Sequence, residues 1–221
     1  MLYPSIVVDN FFSQPELIVD FASKLKFYQN KDGRWPGKRT EVLHSNNFSF
    51  FDYVNQKILS VIYPNNKDLY YSAETYFQKI SGKRYPNCGW VHKDDSELTA
   101  IIYLSKHKFC GTSLCKRITF DSKESSKDLV ERKKKFYSQN YYDEKEAEYL
   151  KLNNQNYKRT LTVDSEYNRL FLFESANYHM AESFTDKNLN EDRLTLITFI
   201  NNLGKVNGNL KFGLSESRRL D

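Results

Sequence analysis

Four short runs rich in β-branched and aromatic residues, all downstream of residue 72, constrain the fold of this chain most strongly. They are Thr75–Ser81, Leu98–Ser105, Arg169–Glu174 and Arg193–Asn201, and turn-forming residues bound each of them. Several runs lack the apolar–polar alternation of a strand with one solvated face. We therefore predict strands buried on both faces of a β-sandwich. The chain has only 8 glycines, which argues against a glycine-dependent α/β phosphate-binding fold.

Helical periodicity predicts two amphipathic helices ahead of these strands. Ser13 followed three residues later by Glu16 is a helix-start pattern, and apolar residues at helical spacing extend it over residues 14–28. A second set at the same spacing, from Phe51 to Val61, predicts another helix. Residues 30–47 between them are polar and interrupted by Gly and Pro, which indicates a loop.

We predict one domain over residues 1–221, with a helical part at 1–70 and a β core at 72–202. A highly charged stretch at about 121–158 interrupts the core and predicts a helical insertion, which we interpret as a solvated lid. Residues 204–221 contain few apolar side chains, so we expect a loose tail.

Composition argues against several classes of protein. No apolar stretch reaches the ~20 residues of a membrane-spanning helix, and the N-terminus lacks the basic lead and cleavage site of a secretion signal. Cys88, Cys110 and Cys115 are odd in number and show no CxxC spacing, so we expect reduced thiols in a cytoplasmic protein. The formal charge of +5 permits an acidic partner without indicating a nucleic-acid binder.

His92 and Asp94 stand together in GWVHKDDSELTAIIYLS, just before a predicted buried strand. Side chains two residues apart in a strand share a face, so these two project together while Lys93 and Asp95 point away. An imidazole nitrogen beside a carboxylate oxygen can occupy adjacent positions of an octahedral metal site. A polar turn that caps the strand is the alternative interpretation. A bulge in the strand would exchange the roles of Asp94 and Asp95.

The third ligand must come from one of the other histidines, His44, His107 or His179. His44 lies in the polar loop, and His107 is flanked by two lysines, which would repel a cation and indicate a solvated turn. His179 follows an apolar run and a turn, so we select it over the alternative of a satisfied core histidine. His92, Asp94 and His179 would then form the 2-His-1-carboxylate triad of non-haem Fe(II) oxygenases.

Arg193 opens a predicted strand that is otherwise almost wholly apolar. A guanidinium aimed into a sandwich core is costly unless it meets an anion, and it pairs well with a carboxylate. A dicarboxylate chelating the metal at one end would present its far carboxylate at about that depth, and Tyr103 could donate a hydrogen bond to it. The alternatives are a surface salt bridge from Arg193 to Asp192 or Glu191, and a purely structural Tyr103.

The order of these residues resembles the 2-oxoglutarate/Fe(II)-dependent dioxygenases. The closest likeness is to the prolyl-hydroxylase-like branch, which includes uncharacterised phage and marine bacterial members. The segments that carry the resemblance beyond the triad are Thr99–Leu104, Asn168–Phe173 and Arg193–Thr195. The likeness covers roughly residues 72–202, is weak over the N-terminal helices and is absent over the charged insertion.

The resemblance implies a mainly β fold with flanking helices: a double-stranded β-helix (jelly-roll) core with N-terminal helices and a helical insertion. It implies Fe(II) on the triad and 2-oxoglutarate anchored by Arg193, Tyr103 and Thr195. Reaction with O2 would release succinate and CO2, with ascorbate as a reductant. The family's halogenases have a small residue in place of the carboxylate ligand, so Asp94 implies hydroxylation.

The substrate implied by the resemblance is a peptidyl proline, an amino acid or another small molecule. We assign Trp35, Arg39 and Trp90 to the substrate mouth, although a plain structural loop explains the first two equally well. Two other functions stay open: a non-catalytic jelly-roll binding or scaffold protein, and a nucleic-acid-directed oxygenase. In the latter, residues 131–137 would place positive charge beside aromatic rings, although the acidic run at 143–148 argues against it.

Overall fold

A computed structural model describes residues 3–64, 68–85, 88–119, 126–138, 143–186, 189 and 191–206. The helices are α1 (Pro15–Ser23), α2 (Leu43–Asn46), α3 (Phe48–Ile62), α4 (Ser126–Ser138) and α5 (Glu144–Gln155). The strands are β1 (Ile6–Val8), β2 (Tyr28–Gln29), β3 (Lys38–Arg39), β4 (Leu69–Ile80), β5 (Leu98–Tyr103), β6 (Thr112–Arg117), β7 (Tyr157–Val163), β8 (Leu170–Glu174), β9 (Tyr178–Ala181) and β10 (Arg193–Lys205). Of the predicted tail, residues 207–221 lie outside the described residues, and residues 204–205 belong to β10.

Seven of the described strands form one antiparallel sheet, in the order β1-β8-β5-β10-β4-β3-β2. Strand β10 lies at its centre and pairs with β4 on one edge and with β5 on the other, where Thr195 is opposite Tyr103. Every residue of β5 is buried, as expected for an apolar run covered on both faces. The prediction of a mainly β fold with flanking helices is confirmed.

Helices α1 and α3 cover one face of this sheet. Because side chains alternate along a strand, Leu194, Leu196 and Ile200 of β10 share a face, and they join one apolar cluster with residues of α1 and α3. Arg193 and Thr195 belong to the opposite face of the same strand. The helical face therefore contributes hydrophobic stability, and the other face is left for the site.

Helix α1 begins later and ends earlier than the predicted range of 14–28. Ser13 is not its capping residue, because Gln14 precedes the first helical residue and its side chain makes no capping hydrogen bond. Pro15 at the first helical position is the effective start signal, since that position needs no backbone N–H donor. Helix α3 is present as predicted and extends slightly beyond both ends of its apolar pattern.

Strands β7, β6 and β9 form a second sheet in that order. Their sequences carry little strand signal, because β6 is short and partly polar and most residues of β7 are exposed. Leu114 and Val163 of this small sheet pack against Ile101 and Phe171 of the large one. The two sheets therefore enclose a second core on the face of β10 that the helices leave free.

The described residues of the charged insertion form α4, α5 and the start of β7, and one side of the two helices is buried. Phe136 and Tyr137 of α4 pack with Tyr85 and Trp90 in an apolar cluster. The expectation of a solvated lid is therefore wrong for this face, because the aromatic residues in the charged run supply a packing surface. The two α4 rings are also unavailable for stacking on bases.

No helix among the described residues is long and apolar enough to span a membrane.

His107 is buried, contrary to the solvated turn expected from its lysine neighbours. Its Nδ1 hydrogen-bonds Ser105 Oγ at 3.0 Å and its Nε2 hydrogen-bonds the Glu191 carbonyl oxygen at 3.0 Å. Its own carbonyl accepts a hydrogen bond from Ser165 Oγ at 2.6 Å. The flanking lysines are exposed, so the imidazole alone turns inward and serves as a structural link between loops.

Asn168 ties the N-terminal segment to the large sheet. Its backbone is left-handed (φ 62°), a conformation that Asn tolerates better than most residues. Its Oδ1 accepts from the Phe12 N–H at 2.9 Å, and its Nδ2 donates to the Phe12 carbonyl at 2.8 Å. Its backbone N–H donates to the Tyr103 carbonyl at 2.7 Å. One buried amide therefore satisfies both backbone groups of Phe12.

We expect Asn168→Ala to lower the free energy of unfolding by about 2–3 kcal/mol, because it removes two buried hydrogen bonds and puts Ala in a left-handed conformation. Asn202→Ala is the matched control: φ is also positive (53°), but the side chain is exposed and donates one hydrogen bond, to Ser72 Oγ. Denaturant-induced unfolding measures both variants. An equal loss in the two would contradict the role of the buried amide.

Candidate metal centre

A backbone bridge brings His92 and His179 together. The His92 N–H donates to the His179 carbonyl at 3.0 Å, and the His179 N–H donates to the His92 carbonyl at 2.8 Å. The two imidazole centroids are 4.4 Å apart. Two residues further on, the Asp94 N–H donates to the Ser175 carbonyl at 3.1 Å, which brings the carboxylate to the same place.

The three side chains present their free donor atoms to one another. Asp94 Oδ1 lies 3.6 Å from His92 Nε2, and Asp94 Oδ2 lies 3.2 Å from His179 Nε2. One ligand atom from each residue lies within 4.8 Å of the others. Each Nδ1 faces a backbone carbonyl, that of Trp90 at 2.8 Å and that of Asn177 at 2.9 Å. Nδ1–H donation to these carbonyls leaves both Nε2 lone pairs facing the site, the usual arrangement of metal-binding histidines.

Hydroxyl groups hold the Asp94 carboxylate in place. Thr99 Oγ1 donates to Asp94 Oδ2 at 2.9 Å and shares a hydrogen bond of 2.8 Å with Ser175 Oγ. Asp95 is exposed, as is Lys93. The structure therefore turns Asp94, and not Asp95, toward the imidazoles. Outside the bridge at His92 this segment is not a regular strand, so backbone hydrogen bonds to β9 and Ser175 determine the direction.

Burial and neighbouring charges set the ionisation of these groups. Burial raises the pKa of Asp94, but the hydrogen bond and charge of His179, the charge of His92 and the Thr99 hydrogen bond outweigh it. The pKa of Asp94 therefore lies below its usual value. Burial, and then the charge of Lys133, lowers the pKa of His92 well below its usual value. At neutral pH the site offers a carboxylate and a neutral His92, the forms that bind metal ions.

A cavity of about 140 Å³ adjoins the three groups. Its wall includes side chains of both sheets, of the loop before β3 and of the inserted helix α4. Its polar and charged lining residues are Arg34, Arg39, Gln78, His92, Asp94, Thr99, Thr112, Lys133, Tyr137, His179 and Arg193. The arrangement can hold one divalent cation with an adjoining space for small molecules.

Arg193 lies in this cavity wall and is only 4% exposed. Its Nε donates to the Cys110 carbonyl at 2.9 Å, and its guanidinium lies 5.4 Å from the centroid of the Tyr103 ring. No carboxylate of the described residues forms an ion pair with it, so the surface salt bridge with Glu191 or Asp192 is not present. Burial lowers its pKa.

The other two predicted cofactor residues lie beside Arg193. Neither Tyr103 nor Thr195 is among the residues that line the cavity. Tyr103 is buried, and its hydroxyl donates to Thr112 Oγ1 at 2.9 Å. Thr195 is fully buried, and its Oγ1 has no hydrogen-bond partner among the described residues. Buried hydroxyl groups are normally hydrogen-bonded, so the Thr195 hydroxyl lacks a partner that such a group usually has.

The three residues assigned to the substrate mouth separate in the structure. Trp35 and Arg39 line the cavity, and the Arg39 guanidinium lies 4.5 Å from the centroid of the Trp35 ring. Trp90 is not among the lining residues, because its ring is buried in the cluster formed with Phe136. Trp90 contributes its carbonyl to His92 instead. His44 lies on α2 against the Phe51 ring and takes no part in the site.

Comparison with protein families gives one match over residues 3–200, to a family model described as a family of unknown function, DUF6445. The chain belongs to the DUF6445 family. Comparison with curated proteins gives no match.

Solved structures resemble this DUF6445 protein over most of their length. HygX from Streptomyces hygroscopicus, with nickel and 2-oxoglutarate bound, is 14% identical with a TM-score of 0.52, over 89% of this chain and 82% of that one. A Trichoplax adhaerens prolyl hydroxylase, in complex with a peptide fragment of hypoxia inducible factor, is 14% identical with a TM-score of 0.51, over the same shares. The α-ketoglutarate-dependent epimerase SnoN of nogalamycin biosynthesis is 12% identical with a TM-score of 0.52, over 97% and 91%. The resemblance predicted from sequence is thus confirmed at the level of the fold.

We expect wild-type protein to bind one Ni(II) ion per chain in a calorimetric titration. Asp94→Ala should weaken that binding by at least roughly 100-fold, because it removes a charged ligand. Asp95→Ala is the matched control and should leave the affinity unchanged, since Asp95 is exposed and points away from the imidazoles. Equal affinities of the two variants would show that the metal, if bound, lies elsewhere.

Proposed function

We propose that the protein is an Fe(II)- and 2-oxoglutarate-dependent dioxygenase that hydroxylates an organic substrate and releases succinate and CO2. One observation carries this proposal: a triad of His92, Asp94 and His179 shares a cavity with Arg193, a buried cation that has no carboxylate partner among the described residues. The triad fits a metal ion, and the arginine fits an anion bound to that metal.

The donor set suits a divalent iron. Two imidazole nitrogens and one carboxylate oxygen converge from one side, which leaves the cavity side for other ligands. Both Nδ1 atoms already have carbonyl partners, and Thr99 holds Asp94. These partners would fix the tautomers and the carboxylate orientation before any metal binds.

The residues around Arg193 suit the far carboxylate of 2-oxoglutarate. Apart from its Nε, the guanidinium has no hydrogen bond to the described part of the chain, so its terminal nitrogens can pair bidentately with a carboxylate. Thr195 Oγ1 would gain the partner that it lacks. Tyr103 would donate to the same carboxylate only by exchanging its bond to Thr112.

The chain's own residues would bind, orient and shield the reactants. A ferrous ion with 2-oxoglutarate and O2 would supply the oxidant, with one oxygen atom passing to the substrate and the other to succinate. Arg193 would hold the cofactor in one orientation and compensate its charge, while the apolar wall at Ile101, Ile197 and Phe199 would exclude water. Asp94 keeps a carboxylate at the ligand position, which favours hydroxylation.

We interpret the two facing sheets as a double-stranded β-helix core over residues 72–202, with α4 and α5 inserted in it. The fold likeness to the oxygenases supports this interpretation. The substrate of this enzyme would be a peptidyl proline, an amino acid or another small molecule. The similar prolyl hydroxylase has a peptide bound, and another HygX structure has hygromycin B bound, which supports a range that includes peptides and small molecules.

Anaerobic addition of Fe(II) and 2-oxoglutarate to wild-type protein should give a weak visible charge-transfer band, and admission of O2 should give succinate. Asp94→Ala should lose both.

Arg193→Met should weaken 2-oxoglutarate binding by about 100-fold while Ni(II) affinity is retained, because the buried cation and not the metal is removed. The 2-oxoglutarate affinity of Arg193→Lys should lie between those of wild type and Arg193→Met, since an ammonium keeps the charge but lacks the bidentate geometry.

Arg169→Met is the control, because Arg169 pairs with Asp9 at the surface and does not line the cavity. Its 2-oxoglutarate affinity should equal that of wild type. A wild-type protein that binds metal but shows neither the band nor succinate would contradict the proposed enzyme and favour a non-catalytic binding module.

A further inference from the structure

Three cations besides Arg193 line the cavity. Arg34 and Arg39 come from the loop before and within β3, and Lys133 comes from the inserted helix α4. The two elements are in direct contact: a Cβ added to Gly33, which has a positive φ of 66°, would overlap the Lys134 carbonyl oxygen. The cavity lining therefore carries three positive charges besides Arg193, contributed by two segments far apart in sequence.

Arg39 is placed among aromatic rings rather than acids. Its guanidinium lies 4.5 Å from the Trp35 ring centroid and 5.4 Å from those of Tyr76 and Phe199. It donates to Gln78 Oε1 at 3.3 Å, and its buried Nε has no partner among the described residues. Burial lowers its pKa to about 10. The rings hold the guanidinium but do not neutralise it.

The acids nearest to Arg39 do not pair with it. Glu74 and Asp94 raise its pKa by their charge, yet neither forms an ion pair with it. Glu74 accepts a hydrogen bond from Tyr76 instead. The Trp35 indole N–H is likewise buried without an acceptor in the described part of the chain. The Trp35–Arg39 segment thus presents donors that lack acceptors.

Lys133 differs from the lysines beside it on α4. Lys134 pairs with Glu131 at 2.8 Å, and Lys135 pairs with Glu146 at 2.5 Å. Lys133 forms no ion pair with any described residue, although Asp94 and Asp95 act on it from a distance. Burial lowers its pKa to about 8, so it is mostly protonated at neutral pH. Among the described residues, acids thus pair with Lys134 and Lys135 but not with Lys133, which lines the cavity.

If the site held a metal ion and 2-oxoglutarate, their charges would not neutralise the further cations of the cavity lining. Asp94 is the only acidic side chain lining the cavity among the described residues, and a divalent metal would take up its charge. A 2-oxoglutarate dianion would be balanced by the remaining metal charge and Arg193. Arg34 is exposed to solvent, but the half-buried Arg39 and Lys133 would then face the substrate without a counter-charge. Buried or half-buried cations of this kind are costly unless a ligand neutralises them.

We infer that the substrate carries an anionic group, a carboxylate or a phosphate, which Arg39 and Lys133 bind in the cavity. Trp35 and Phe199 border this subsite and would pack against the apolar part of the substrate. That the bound molecule is a substrate rests on the proposed function. The anion subsite itself does not depend on it.

Titration calorimetry on full-length protein loaded with Ni(II) and saturating 2-oxoglutarate tests the subsite. The probes are inorganic phosphate, benzoate and, as the uncharged counterpart of benzoate, benzamide. We expect phosphate or benzoate to bind and benzamide to bind at least about tenfold more weakly. Preference for phosphate or for benzoate tells which anionic group the subsite is built for.

Arg39→Gln and Lys133→Gln should each weaken binding of the preferred anion by about tenfold and leave 2-oxoglutarate affinity unchanged. Matched controls are Lys38→Gln, beside Arg39 but exposed, and Lys134→Gln, beside Lys133 but paired with Glu131. Both controls should bind the anion as wild type does. Unchanged 2-oxoglutarate affinity also shows that the variants are folded.

The inference would be overturned by no anion binding by wild type, by equal binding by wild type and both variants, or by binding of benzamide equal to that of benzoate. Loss of 2-oxoglutarate binding in Arg39→Gln or Lys133→Gln would also overturn it, because these cations would then belong to the cofactor site. Failure of the proposed function appears elsewhere, as absence of 2-oxoglutarate binding in wild type. In that case the same anion titration on protein with Ni(II) alone still tests the subsite.

Discussion

Strand β10 is hydrogen-bonded along both edges and covered on both faces, and the site depends on this arrangement. Because its apolar residues face the helices, alternation places Arg193 and Thr195 in the space between the two sheets. A guanidinium in that space is largely removed from water and has no carboxylate partner in the described part of the chain. One strand therefore supplies hydrophobic stability on one face and, on the other, a buried cation that an anion would neutralise.

The convergence of His92, Asp94 and His179 comes from main-chain hydrogen bonds. The mutual backbone bridge of His92 and His179 holds their imidazole centroids 4.4 Å apart, and a backbone hydrogen bond to Ser175 holds Asp94 beside them. Carbonyl groups then fix the imidazoles, and Thr99 fixes the carboxylate. Because the protein positions these groups, little reorganisation would accompany binding of a metal ion.

Several features could be predicted from the sequence because their signals are local. The apolar run of β5 indicated a strand buried on both faces, and helical spacing indicated α1 and α3. Alternation selected Asp94 over Asp95, and the structure turns Asp94 toward the imidazoles, although main-chain hydrogen bonds and not a regular strand set its direction. Other expectations were wrong because side chains near in sequence do not determine burial. His107 turns inward between two exposed lysines, and Trp90 packs into a core formed by the insertion.

By itself, the sequence determined the chemistry of the groups and the approximate order of the elements: two imidazoles, a carboxylate and an arginine on or beside apolar strands. Tertiary structure alone decided which other groups join them. Lys133, in a charged stretch without family likeness, reaches the cavity because α4 packs on the loop that carries Arg39. Periodicity reports how neighbouring residues share a face, whereas the environment of a charge depends on which distant segments exclude water from it.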